Sequence, residues 1–148
     1  MSSSTGVAFR EIDFNNASEV GFCYKSWLGS YKNHADVCPY SVYRQTYQAY
    51  LDRIIKRDGC SVVLAVHPEH TDQIFGFICV ERESPVVHYI YVKEDYRRTG
   101  VGTDLLEFVS QGNDTGSFAY TFNTSLGRKF LRPRGGRYAP KLVRNELP

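Results

Sequence analysis

Apolar and polar positions alternate from Val7 to Phe14 ("VAFREIDF"), the period-2 pattern of a half-buried strand. Val20, Tyr24, Trp27, Leu28 and Tyr31 then recur at helical spacing and predict a helix over 17–32. Asn16, with Glu19 three residues on, resembles a capping box with Asn in place of Ser or Thr. Pro39 cannot continue a helix. Tyr43, Tyr47, Tyr50, Leu51 and Ile54 predict a second amphipathic helix over 41–57, closed by Gly59 as a left-handed cap. Three β-forming runs follow, "CSVVLAVHP", "IFGFICVERE" and "VVHYIYVK", separated by the polar turn "EHTDQ" and by Ser84-Pro85; they read as an antiparallel meander. "TDLLEFVSQ" predicts a helix from Val101 to Gln111, "FAYTFNTS" a strand and "LGRKFLR" a short helix stopped by "PRGG". "RYAPKLVRNEL" reads as a last strand, with Pro140 marking an edge or a kink.

The step from the third meander strand through a helix to the next strand implies a right-handed parallel crossover. The expected fold class is α/β: a mixed, mostly antiparallel sheet of about six strands with helices on both faces. No repeat or linker interrupts the pattern, so residues 1–148 read as a single domain.

Composition narrows the function classes. With 42% hydrophobic and 23% charged residues the chain is ordinary globular protein, and a net charge of +2 is too small to argue for nucleic acid. Arg128, Lys129, Arg132, Arg134, Arg137, Lys141 and Arg144 follow one another with no acid among them. That segment either faces phosphates or is simply solvated. Cys23, Cys38, Cys60 and Cys79 show neither CxxC nor zinc spacing, and Cys60 and Cys79 sit in apolar runs as small buried hydrophobes. "HPEH" (His67 to His70) falls in a hairpin turn with no distant third ligand, so no metal is expected. "MSSSTGVAF" lacks a basic and an apolar region, so no signal peptide is expected there, and no apolar stretch reaches membrane-spanning length. The expectation is a cytoplasmic protein with reduced thiols and no membrane partner.

The chemistry concentrates in "DYRRTGVG", Asp95 to Gly102, between a strand and a helix. The first N–H groups of a helix lack intrahelical partners and carry partial positive charge. A diphosphate fits against them where no Cβ intrudes, which is what Gly100 and Gly102 allow. The amides near Arg98, Gly100, Val101 and Gly102 are placed to converge on one anion, with Arg97 or Arg98 adding charge. A plain glycine-rich turn with solvated arginines is the competing reading.

"YIYVKEDYRRTGVGTDLLEFV" resembles motif A of the GCN5-related N-acetyltransferase (GNAT) superfamily: Arg or Gln, two residues, Gly, one residue, then Gly or Ala. Arg97, Gly100 and Gly102 match residue by residue. Trp27, "HYIYVK" and the compact length also resemble small GNAT proteins of bacteriophage genomes, which would place the protein in a host cytoplasm or a virion.

The resemblance implies transfer of an acetyl group from acetyl-CoA to a primary amine by direct attack in a ternary complex, with coenzyme A as co-substrate and no metal. It implies that Arg97, Arg98, Thr99, Gly100, Val101, Gly102 and Thr103 hold the diphosphate. Ile90 and Val92 would pair with the pantetheine arm, and Asn123 would contact it. A β-bulge would aim Val92 N–H at the thioester oxygen. His88, read as sharing a strand face with Val86, Ile90 and Val92, is the candidate base. Trp27 and Tyr31 are candidates for the acceptor pocket, with "KNHADVCPYS" as a lid. The Tyr that protonates the leaving thiolate in many relatives is missing, its place falling on Leu131 and Arg132, although Tyr138 stands nearby. The alternative is a catalytically weak GNAT fold serving in an assembly such as a phage particle; a homodimer or another partner stays open.

Overall fold

The computed structural model describes residues 6–30, 40–57, 59–81, 86–110, 118–121, 125–139 and 142. Its elements follow the predicted order: β1 Ala8–Glu11, α1 Ala17–Ser30, α2 Tyr40–Ile55, β2 Cys60–Val66, β3 Ile74–Glu81, β4 Val86–Val92, α3 Val101–Val109, β5 Phe118–Tyr120, α4 Ser125–Leu131 and β6 Gly136–Tyr138. Short 3-10 turns occupy Glu94–Tyr96 and Arg132–Arg134. The strands form one six-stranded sheet in sequence order, antiparallel from β1 to β4 and parallel from β4 to β6.

Period-2 burial in the strands separates two cores. On one face α1 and α2 set Cys23, Trp27, Leu28, Tyr50, Leu51 and Ile54 against Val62, Leu64, Phe77 and Tyr89. On the other, Val101, Leu105 and Val109 of α3 and Leu131 of α4 pack on Val63, Ile78, Val87 and Tyr120. β2 and β3 are buried on both faces, which is why their sequences are nearly uninterrupted apolar runs. Among the described residues no helix is long and apolar enough to cross a membrane.

Asn16 caps α1, its Oδ1 accepting from Ser18 N at 3.1 Å and Glu19 N at 3.3 Å. The second half of the expected capping box is replaced. Glu19 accepts from Asp13 N at 3.0 Å and pairs with Arg10 of β1, whose hydrogen bond holds the Glu19 carboxyl below its ordinary range. Arg10 also donates to Thr71 O at 2.8 Å, so one guanidinium ties β1, α1 and the β2–β3 turn together.

Several boundaries move. β1 is shorter than the alternation suggested, α1 is traced to Ser30, and α2 runs from Tyr40 to Ile55 rather than 41–57. α3 ends at Val109, two residues short of Gln111. The last strand is only Gly136–Tyr138; Pro140 and most residues after it lie outside the described set. So do Tyr31, Cys38, Asn123, the segment predicted as a lid up to Pro39, and the side chains of Tyr43 and Tyr47.

Candidate active site

β4 carries an extra residue. Cys79 pairs with Tyr89, but the next residue, Val80, pairs with Val87, leaving His88 without an opposite number in β3. This is a β-bulge, and it lies at His88 rather than at Val92. Val92 is in regular register opposite Gly76. Beyond the bulge the ladder alternates, with Lys93 N–H bonded to Phe75 O at 2.9 Å. The N–H and C=O groups of Ile90 and Val92 therefore turn away from β3, toward the side where β5 lies. β5 pairs with β4 only at Val86–Ala119 and Val87–Tyr120 and then parts from it. The result is a V-shaped gap with the open edge of β4 as one wall.

α3 begins at the mouth of this gap. Gly100 is its N-cap, in the left-handed region at φ 98°, and no side chain caps the helix. Arg98 is also left-handed at φ 66°, a conformation a side-chain-bearing residue adopts at a cost. The tight turn they make brings the first amides of α3 to the surface of the gap. Thr99 is occupied locally, its hydroxyl donating to Tyr96 O.

A cleft of about 640 Å³ joins these parts. Ile90, Val92, Arg97, Arg98, Gly100, Gly102 and Thr103 of the predicted set all line it. Val101 faces inward and is buried in the α3 core, so its share in an anion site is confined to its amide. Arg97 Nε donates to Val92 O at 2.9 Å, and its guanidinium lies over the Tyr91 ring, 5.7 Å from the centroid.

Sequence reasoning missed the fourth side of the cleft, built by α4. Phe130 lies where a Cβ on Gly102 would come within 3.0 Å of its ring, so that glycine makes room for an aromatic as well as for an anion. Arg134 stacks on Phe130 at 3.9 Å, bonds Phe130 O at 2.8 Å and reaches Thr103 Oγ1 at 3.4 Å. One arginine of the basic segment thus belongs to the cleft. Phe130, with Gly127, lines it from α4, and neither Leu131 nor Arg132 does: Leu131 is buried and Arg132 is exposed. An aromatic one residue before the assigned place, opposite a helix-opening glycine, was the available signal. Phe130 has no acidic hydrogen, and Tyr138 is 46% exposed, its ring beside Tyr120.

Two expectations are corrected. His88 does not share the face of Ile90 and Val92, which pack on the α3 side. The bulge turns it toward Glu81 and Thr121, where its side chain is fully buried. Burial lowers its pKa to about 4, with Glu81 only partly opposing the shift. A closed-off, neutral imidazole cannot touch an amine in the cleft. Trp27 sits in the core and not on the lining of this cleft. It is 1% exposed and stacks on Tyr89 with ring centroids 5.0 Å apart.

His67 accepts at Nδ1 from Glu69 and His70 backbone N–H groups, as in an ordinary turn, and among the described residues no three potential ligands converge on a metal position. Cys60 and Cys79 are free thiols with Sγ atoms 3.5 Å apart, and burial raises the pKa of Cys23, also free, to about 12.

A family model described as an acetyltransferase (GNAT) domain matches residues 58–132, half of the chain. No curated protein sequence matches it. Among solved structures, an integron cassette protein from the mobile metagenome of V. cholerae aligns over 91% of this chain and 88% of its own, at 16% identity and a TM-score of 0.55. A GNAT-family acetyltransferase from Staphylococcus aureus Mu50 aligns over 70% and 62%, at 20% identity and a TM-score of 0.43. An aminoglycoside 6′-N-acetyltransferase complexed with coenzyme A aligns over 87% and 57%, at 16% identity and a TM-score of 0.43. At such identities the likeness is one of fold, and it rests on the first of the three. From the matched domain and the six-stranded sheet that parts between β4 and β5, this chain belongs to the GNAT acetyltransferases, a family of acyl-transferring enzymes.

Proposed function

We propose that the protein transfers an acetyl group from acetyl-CoA to a primary amine, both bound at once. The observation that carries this reading is the cleft itself, which joins an uncapped helix N-terminus opened by Gly100 and Gly102 to an unpaired strand edge. The diphosphate sits against the amides of Val101, Gly102 and Thr103, with Arg98 and Arg134 supplying charge and Arg97 in reach. The pantetheine arm lies along Ile90 and Val92 as an added strand. Its thioester end then lies near Ile90 N–H, the open-edge amide closest to the vertex. That amide, rather than Val92 N–H, is the donor that meets the oxygen as it gains negative charge.

The amine attacks the thioester carbon, the C–S bond breaks, and the thiolate departs. Phe130 supplies no proton there; a thiol with pKa about 8.5 leaves without one. An alkylamine has a pKa near ~10.4, so most of it is protonated at neutral pH. With His88 buried away from the cleft, the proton goes to water, and the rate follows the fraction of free amine. The single domain, the intracellular setting and the acceptor's identity belong to this proposal; the free thiols support a reducing compartment. Among the described residues nothing favours the alternative of a purely structural role.

Calorimetry with acetyl-CoA tests the reading. Binding by the wild type that Gly102→Asp abolishes is expected, because a carboxylate there meets both Phe130 and the diphosphate. Absence of wild-type binding sinks the proposal. A panel of amines read by mass spectrometry then identifies the acceptor class.

A further inference from the structure

The vertex of the V is closed by side chains as well as by backbone. The last rung between β4 and β5 is Thr121 N–H to Val87 O at 3.2 Å. Immediately beyond it the bulge swings His88 across the gap, and its Nδ1 lies 2.8 Å from Thr121 Oγ1. Its other nitrogen lies 3.6 Å from Glu81 Oε1, and that carboxylate is held by Arg57 Nε at 2.6 Å. Thr121 is only 4% exposed.

This arrangement is costly. His88 Nε2 has no hydrogen-bond partner among the described residues, and a buried polar atom left unpaired destabilises a fold. An apolar residue would fill the space without that penalty. With Nε2–H turned to the Glu81 carboxylate, Nδ1 carries the lone pair and the Thr121 hydroxyl donates to it. Two strands are thereby linked where the backbone ladder stops, β4 through His88 and the end of β5 through Thr121, with the Glu81 carboxylate of β3 beside the ring but outside hydrogen-bond reach.

We propose that His88 and Thr121 are positioning residues, a clasp that fixes where β4 and β5 part and so how deeply the acyl end of a CoA thioester enters. The inference rests on the reading of the cleft as a CoA site. With the diphosphate anchored at α3 and the arm running past Val92 and Ile90, the acyl group is the part nearest the vertex. If the clasp opens by one residue, the slot deepens by about 3.3 Å, room for a longer acyl chain. The clasp therefore selects short acyl groups.

The test needs no acceptor. CoA, acetyl-CoA and butyryl-CoA are titrated by calorimetry into the wild type, Thr121→Ser and Thr121→Val. Wild type and Thr121→Ser should prefer acetyl-CoA over butyryl-CoA by about tenfold or more, the scale of discrimination that added methylenes allow in a closed pocket. Thr121→Val keeps the size of the side chain and lacks the hydroxyl. It should lose most of that preference while its affinity for CoA itself changes by less than about twofold. If Thr121→Val does not fold, Thr121→Ala takes its place. An unchanged preference in the folded variant, or no preference in the wild type, overturns the clasp alone. A wild type that binds none of the three ligands overturns the reading of the cleft beneath it.

Discussion

His88 shows what one residue reveals and conceals in a sequence. Strict alternation from Val86 would place it beside Ile90, but a single inserted residue reverses the face of everything on one side of it. Nothing in "VVHYIYVK" announces the bulge. Because burial holds His88 neutral down to about pH 4, it binds fewer protons folded than unfolded, where its pKa is near ~6.5. Its contribution to stability is present above pH 6.5 and is lost as pH falls toward 4, on the order of 3 kcal/mol. Urea unfolding of wild type and His88→Gln at several pH values should show this extra slope only in the wild type; parallel curves would mean the ring is not held neutral. Trp27 permits a second measurement. As the chain's single tryptophan, stacked in the core on Tyr89, it should emit at short wavelength and stay unresponsive to amine acceptors. A change in emission on adding the true acceptor would return it to the pocket.

Among the elements, the strand–turn–helix unit from β4 through α3 was the most legible. Its signals are local: a β-branched run, a left-handed glycine and an apolar helix stripe. α4 was less so, because which of Phe130, Leu131 and Arg132 faces the cleft depends on how a short helix lies on its neighbour. Gly102 records that packing. In the wild type, Gly102→Ala should destabilise, since the Phe130 ring must give way; overpacking of this kind costs about 1 kcal/mol or more. In a Phe130→Leu background the same change should stabilise by about 0.5 kcal/mol, the ordinary gain of alanine over glycine in a helix. The sign reversal is read from thermal unfolding in a double-mutant cycle. Equal effects in both backgrounds would mean that the two residues do not touch.

For the whole molecule, element order and alternation were enough to fix the mixed sheet and its parallel crossover. The fourth wall of the cleft and the vertex were not readable, since both depend on contacts between segments far apart in sequence. A ligand that spans the cleft touches β4, α3 and α4 together, so it stabilises the folded state as a unit. At about a hundred times its Kd, acetyl-CoA should add roughly 2.7 kcal/mol, a rise of several degrees in Tm, and Gly102→Asp should remove the rise. An equal rise in that variant would place the ligand elsewhere.

The brevity of the β4–β5 pairing has a consequence for local opening. β2 and β3 pair along nearly their whole length, whereas the β5–β4 ladder spans Val86–Ala119 and Val87–Tyr120 and ends at the Thr121 rung, with β6 beyond it. The β5 and β6 strands can therefore open locally while the meander remains intact. Backbone amides of β5 and β6 should then exchange with deuterium well before those of β2 and β3, and an occupied cleft should slow the first group selectively.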